Sequence, residues 1–251
     1  MPITTHEVAP HVTLITLDNQ AKRNAMSRAM LGELAGLWDT LDASPCRCVV
    51  LTGAGEKGFC AGADIGGDLS ASEETARIVN RALLKTSTFS KPIIAAVNGD
   101  CAGGGVELLL STDIRAAAAH ARFGLPEVRY AIYPFGGATV KLTHQISHVH
   151  AMDLLLTGRL VDATFAERIG LINQVVPADR LMDWAVEKAE MIAANSPAAV
   201  QAVKTQISAS MADYALSREA LEQQLGDRVR ASADFAEGVA AFREKRQAKY
   251  V

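Results

Sequence analysis

Apolar residues along the chain follow two periods. In HVTLITLDN, Val12, Leu14 and the aliphatics that follow alternate with their neighbours, as in a half-buried strand. Residues 24–41 carry Met26, Met30, Leu34, Leu37 and Leu41 at helical spacing. CRCVVLTG, KPIIAAVNG and DIRAAAAHARFG predict three more strands, with short helices between them at 72–84 and 105–111. Strand and helix take turns, so an α/β layer is expected.

From about Ala151 the character changes, with helices expected over 151–156, 162–169, 180–194 and 197–209. Gly170 stands where a helix-ending glycine belongs. Ser196 and Pro197 form an N-cap and first helical position. Asp234, with Glu237 three residues later, resembles a capping box. The last sixty or so residues therefore form a helical appendage whose apolar stripes need a partner, either the core or another subunit. The division expected is a core over 1–190 and a helical region over 191–251.

Composition narrows the function classes. The chain has 251 residues, 49% hydrophobic and 21% charged, enough for a sizeable core. A net charge of −3 advertises neither a nucleic-acid nor a membrane surface. The first residues lack a charged segment leading into an apolar run, and the nearly uncharged stretch 92–112 is broken by Asn98, Asp100 and glycines. Cys46, Cys48, Cys60 and Cys101 have neither CxxC nor zinc spacing, so buried thiols in a reduced, cytoplasmic setting are expected.

The stretch VVLTGAGEKGFCAGADI contains Gly53, Gly55 and Gly58 in the spacing of a dinucleotide-binding loop. Such a loop opens a helix whose N-terminus faces the pyrophosphate. Here Phe59-Cys60-Ala61-Gly62-Ala63-Asp64 follows instead, so the dinucleotide reading fails. The small residues from 59 to 64 form either a tight turn or a place where a ligand reaches the backbone.

A second glycine cluster, Gly103 to Gly105, feeds a helix, and unpaired N–H groups at such a start suit a developing oxyanion. Glu107 stands directly behind it among Val106, Leu108, Leu109 and Leu110. A carboxylate there is costly unless it is paired, protonated or used; the alternative is a first-turn glutamate facing solvent. Glu127 follows a Gly-x-Pro turn. Alone it reads as a loop residue; beside Glu107 it completes a candidate acid–base pair.

The set FCAGADI, KPIIAAVNGDCAGGGVELLLSTDIRAA, ARFGLPEV, LLLTGRLVDATFAERIGLINQVV and EGVAAFREKRQAKY resembles the crotonase (enoyl-CoA hydratase/isomerase) superfamily almost end to end. The resemblance implies an α/β fold, a spiral of repeated ββα units followed by a helical trimerisation region, assembled as a homotrimer or dimer of trimers. It implies an acyl-CoA substrate, with coenzyme A entering as part of the thioester and no separate cofactor, metal, nucleic acid or membrane partner. By the same resemblance the N–H groups of Ala63 and Gly104 form the oxyanion hole. Lys22, Ala25, Ala61, Ala63, Asp64, Ile65 and Lys245 fall at CoA-contacting positions. Glu107 and Glu127 match the two glutamates of the hydratases, with Glu107 holding the water and Glu127 facing C2.

The chain departs from that pattern in three places. Gly66-Gly67 stands where hydratases often carry a lysine near the CoA phosphates, so Lys22 or Lys245 is expected to serve. Phe135 replaces a glycine beside the reacting carbons and Val140 a glutamine, so Phe135 is expected to reshape the acyl pocket. The polar stretch GGDLSASEET is expected to act as a lid. These changes keep open another crotonase-type reaction (isomerase, hydrolase or lyase) on a bulkier acyl-CoA, or a non-catalytic CoA-binding member. His144, His148 and His150 read as a surface helix, Cys60 as a packed thiol, and the basic REKRQAKY mainly as a solvated face.

Overall fold

The computed structural model describes residues 2–64, 73–244 and 246–250. Its first sheet has six strands in the order β1 (Ile3–Ala9), β2 (Val12–Leu17), β3 (Cys48–Gly53), β5 (Ile93–Val97), β7 (Ile114–Ala118) and β10 (Gln174–Val176). A second sheet pairs β4 (Gly58–Cys60), β6 (Asp100–Ala102), β8 (Arg122–Gly124) and β9 (Leu160–Asp162). Both are parallel at their centres, and only β1–β2 and β8–β9 are antiparallel.

The chain steps from the first sheet to the second and then into a helix, and it does so three times. β3 and β4 lead to α2 (Glu73–Ala82), β5 and β6 to α3 (Gly104–Leu109), and β7 and β8 to α4 (Ala138–Gln145). This is the ββα spiral that the resemblance implies. Each step brings the end of a short second-sheet strand beside its predecessor, which is how segments forty residues apart come to share one site.

Burial explains why the central strands read as unbroken apolar runs. All six residues of β3 are buried, because one face carries Val49 and Leu51 toward α1 (Arg28–Asp42) and the other carries Cys48 and Val50 toward α7 (Leu181–Ala193). Trp38 anchors the first core against Phe89, ring centroids 5.1 Å apart, and donates to the Ala82 carbonyl at 2.9 Å. Ala185, Ala189 and Ala193 let α7 lie close on the second face.

Several boundaries differ from expectation. The helix expected from residue 24 begins at Arg28. Asn24 adopts a left-handed φ of 58° and Ser27 Oγ caps the helix by accepting the Met30 N–H at 3.2 Å. DIRAAAAHARFG is two strands, β7 and β8, which belong to different sheets. The helix expected over 197–209 runs on to Arg230 as α8 (Pro197–Arg230). In α9 (Ala233–Glu244) Ser232 Oγ accepts the Phe235 N–H at 3.3 Å, so Ser232 rather than Asp234 caps it, while Glu237 pairs with Arg246. α5 (His148–Thr157) and α6 (Ala163–Arg168) fall where expected. Pro197 opens α8 after Ser196, and Gly170 takes a φ of 77° just past α6.

Candidate active site

The GxGxxG stretch ends in β4 rather than a helix. Gly53 is glycine because a Cβ there would meet the Gly58 and Phe59 carbonyls at 2.5 Å, and Asn24 fastens the loop by donating to the Ala54 and Gly58 carbonyls. After β4 the backbone pairs with Met26: the Met26 N–H donates to Gly62 at 2.8 Å and the Asp64 N–H to Met26 at 3.0 Å. In a parallel bridge of this kind the flanking residues make both bonds, so the Ala63 N–H is directed to the other side.

The start of α3 lies close to this segment. A Cβ on Gly104 would stand 3.3 Å from the Ala63 nitrogen, and one on Gly62 3.1 Å from the Gly104 nitrogen. The two backbones are thus in contact, and a Cβ on Gly105 would overlap the Cys60 carbonyl. Gly62 and Gly103 also need positive φ values, 101° and 54°. The Gly104 N–H, in the first turn of α3, has no carbonyl one helical turn before it. Two backbone N–H groups from different ββα units therefore lie side by side, an arrangement able to hold one anionic oxygen.

Glu107 lies in α3 itself, and Glu127 reaches Gly103 at its start. Glu107 is 5% exposed, and its Oε1 accepts the Ala138 N–H at 3.2 Å. Burial pushes its carboxyl up; the Ala138 and Gly136 N–H groups and the Lys85 ammonium act in the opposite sense. Glu127 lies in a 3₁₀ turn, Pro126–Tyr130, directly after β8. Its Oε2 is buried without a hydrogen-bond partner, and Oε1 lies 3.0 Å from where a Cβ on Gly103 would stand. Burial, reinforced by the charge of Glu107, raises the Glu127 carboxyl from 4.5 to about 8. Both carboxyls are thus held above their ordinary range, but Glu107 accepts the Ala138 N–H while Glu127 Oε2 is left without a partner, an asymmetry that suits one group to the base role and the other to the acid role.

Helix α9 covers the Glu127 turn: Tyr130 and Phe242 meet edge to face at 5.1 Å, and Tyr250 donates to the Arg129 carbonyl at 2.7 Å.

The positions expected to contact CoA are brought together only in part. Lys22 reaches Asp64 with 2.6 Å between Nζ and Oδ2, an exposed ion pair at the mouth of the loop. Ala25 is buried beside it, and the Ala61 N–H is taken up by the Arg23 carbonyl at 3.0 Å. Ile65, Lys245, Gly66-Gly67 and most of the expected lid lie outside the described residues. Phe135 stands next to Gly136, which touches Glu107, but its ring packs on α8. Gly226 leaves room for it, and the Arg230 guanidinium sits 5.2 Å from its centroid.

Other candidates are occupied elsewhere. His144 bonds the Val140 carbonyl through Nδ1 at 3.0 Å and packs on Tyr214; His150 packs on Phe165. Among the described residues no three or more His, Cys, Asp or Glu side chains are disposed to hold a metal. Cys60 is buried, its thiol pushed up to about 12 by burial, so it is no nucleophile near neutral pH. What the sequence did not reveal is a further layer of buried polar residues behind Glu107, namely Lys85, Lys141 and Glu222.

A family model described as enoyl-CoA hydratase/isomerase matches residues 7–251. An enoyl-CoA hydratase of Mycobacterium tuberculosis is 41% identical over 246 residues, spanning 94% of this chain and 91% of that one. An (E)-benzylidenesuccinyl-CoA hydratase of Thauera aromatica is 38% identical, spanning 98% and 97%. The crystal structure of a carnitinyl-CoA hydratase from Mycobacterium avium superposes with a TM-score of 0.88 at 34% identity, covering 99% of this chain and 98% of the other.

Proposed function

Because this chain belongs to the enoyl-CoA hydratase/isomerase family, we propose that it adds water across the C2–C3 double bond of a trans-2-enoyl-CoA. The observation that carries this reading is the pair of buried carboxyls near the start of α3, Glu127 with Oε1 against Gly103 and Oε2 unpartnered, and Glu107 accepting the Ala138 N–H.

In the proposed reaction the thioester oxygen accepts hydrogen bonds from the Ala63 and Gly104 N–H groups. Glu107 takes a proton from water as the water oxygen bonds to C3. The double-bond electrons move toward C2 and charge builds on the thioester oxygen, where backbone donors already aimed at it stabilise it. The Glu127 proton then goes to C2 as the enolate collapses. The product is the 3-hydroxyacyl thioester; the proton gained by Glu107 and lost by Glu127 is re-equilibrated through the next water. Lys22, Ala25, Ala61, Ala63 and Asp64 are the described residues on the side assigned to coenzyme A.

Phe135 is proposed to bound the acyl end of the site through its backbone, next to Gly136 and Glu107, while its ring packs on α8. The chain is proposed to assemble as a trimer-based oligomer. Val203, Ile207 and Leu216 on α8 are 64%, 68% and 58% exposed, which supports a partner subunit covering that helix.

The test follows enoyl-thioester absorbance of the purified protein with crotonyl-CoA, beside Glu107→Gln and Glu127→Gln. Rapid loss of absorbance that falls by ~10²–10⁴-fold in each variant is expected. Binding of CoA thioesters without turnover by the wild type would overturn hydration and favour another reaction of the family on a bulkier acyl group.

A further inference from the structure

Behind Glu107 lies an ion pair that the proposed chemistry does not use. Lys85, just after α2, and Glu222, on α8, are only 3% and 4% exposed. Lys85 Nζ stands 2.9 Å from Glu222 Oε2, an ionic contact without the directed geometry of a hydrogen bond. The same ammonium donates to the Phe135 carbonyl at 2.9 Å, and Glu222 Oε1 accepts from Thr139 Oγ1 at 2.7 Å. The pair therefore holds both ends of the segment from Phe135 to Thr139. Inside that segment Gly136 lies against the Glu107 carboxyl, and Ala138 donates its N–H to Glu107 Oε1.

Stability alone is a poor reason for such a pair, because well-packed apolar residues often replace buried ion pairs without loss. The contacts of α8 point instead to the site. Glu219 accepts from Asn80 at 2.7 Å, Glu222 reaches Lys85 and Thr139, Gly226 receives the Phe135 ring, and Arg230 lies over that ring. Residues 219, 222, 226 and 230 share one helical face. That face is seated on α2, on Lys85 just after it and on the Phe135–Thr139 segment, the last of which touches Glu107.

We propose that the Lys85–Glu222 pair is a positioning device for Glu107. It clamps the Phe135–Thr139 segment so that the Ala138 N–H stays aimed at the Glu107 carboxylate. The inference rests on the reading of Glu107 as the base in hydration. The charged or titratable groups facing Glu107 are Lys85 after α2, Lys141 on α4, Glu222 on α8, Glu127 in the 3₁₀ turn and Tyr133 in the loop before α4. Lys141 is itself occupied by the Leu84 carbonyl at 2.7 Å and Ser111 Oγ at 2.9 Å, which leaves Lys85 and Glu222 as the pair whose charges can be altered separately.

The experiment measures kcat, KM and the pH profile of kcat/KM with crotonyl-CoA for Glu222→Gln, Lys85→Met and the double variant. Loosening the clamp lowers kcat by ~10- to 10²-fold while KM stays within about threefold, as a small misplacement of a reacting group does. Glu222→Gln leaves the ammonium uncompensated and moves the acid limb to lower pH. Lys85→Met leaves the carboxylate uncompensated and moves it to higher pH. The double variant, which keeps neutral groups of similar size and so guards against a misfolded single variant, returns the limb toward the wild-type position while kcat stays low. A purely structural role predicts lowered stability without opposed displacements. Coincident acid limbs in both single variants, or kcat within twofold of wild type, would overturn the proposal. The carboxyl infrared band that disappears in Glu107→Gln gives the same titration without turnover. If the wild type hydrates no enoyl thioester, the hydratase reading fails, while the infrared titration still decides whether the pair controls Glu107.

Discussion

Replacing Glu127 by glutamine removes a carboxyl that the folded chain keeps protonated well above its ordinary range. In the unfolded chain this group ionises at 4.5; in the folded chain, buried and facing Glu107, it does so at about 8. Between those values the native state binds one proton more than the unfolded state, so this group makes stability fall as pH rises, by ~1.4 kcal/mol per pH unit. The whole interval corresponds to at most ~5 kcal/mol. Glu127 retains partial access to solvent, and a difference of ~2–3 kcal/mol is expected. Below the unfolded value the contribution is fully present; above about pH 8 it is fully lost. Glutamine, neutral throughout and of the same shape, carries no such dependence. The assay is urea unfolding of wild type and Glu127→Gln from about pH 5 to 8.5 at one protein concentration, since assembly also shifts apparent stability. The variant should gain on the wild type progressively over that range and then level off, while losing activity. Parallel stability curves across the range would show that the folded chain does not hold this proton, and the assignment of Glu127 as the acid would fall with it.

Gly136→Ala brings a Cβ into the Glu107 carboxyl and the Leu83 side chain. It should cost ~1–3 kcal/mol in thermal unfolding and a larger share of activity than of stability. Gly226→Ala meets the Phe135 ring, so a similar loss is expected; in a Phe135→Ala background most of it should vanish in a double-mutant cycle. The four cysteines are buried, and burial pushes the Cys48 and Cys60 thiols to about 12. Thiol reagents at about pH 8 should therefore label the native protein slowly and the urea-unfolded protein fully.

The parts of the fold that can be read from the chain are those buried by apolar residues at a fixed period. β2, β3, β5 and α1 are of this kind, and so are α6 and α7. The second sheet is not, because β4, β6 and β8 have three residues each, too few for any period to register. β1 escaped because it is a sheet edge with only Ile3 buried. Glu107 stood out as a charge in an apolar helix, and the glycines around it marked close backbone approach. Glu222 did not stand out, for a physical reason. The face that α8 turns inward includes Lys204, Ala212, Ala215, Glu222 and Gly226, and such a face looks like a solvated one until its partners are known. The charged and small residues on that inward face explain why the helix was expected to end near residue 209.

Because Glu222 grips Thr139 from 83 residues farther along the chain, the site is unfinished for a measurable part of the protein's own synthesis. At ~5–20 residues per second the ribosome needs roughly 4–17 s to pass from one to the other. During that interval Lys85 lacks its carboxylate and the Phe135 ring its glycine notch, although the last strand of either sheet, β10, is complete well before Glu222 is added. The nascent chain thus carries Glu107 and Glu127 before it carries the helix that seats them, and the clamp on Glu107 waits until α8 has been made as far as Glu222 and Gly226.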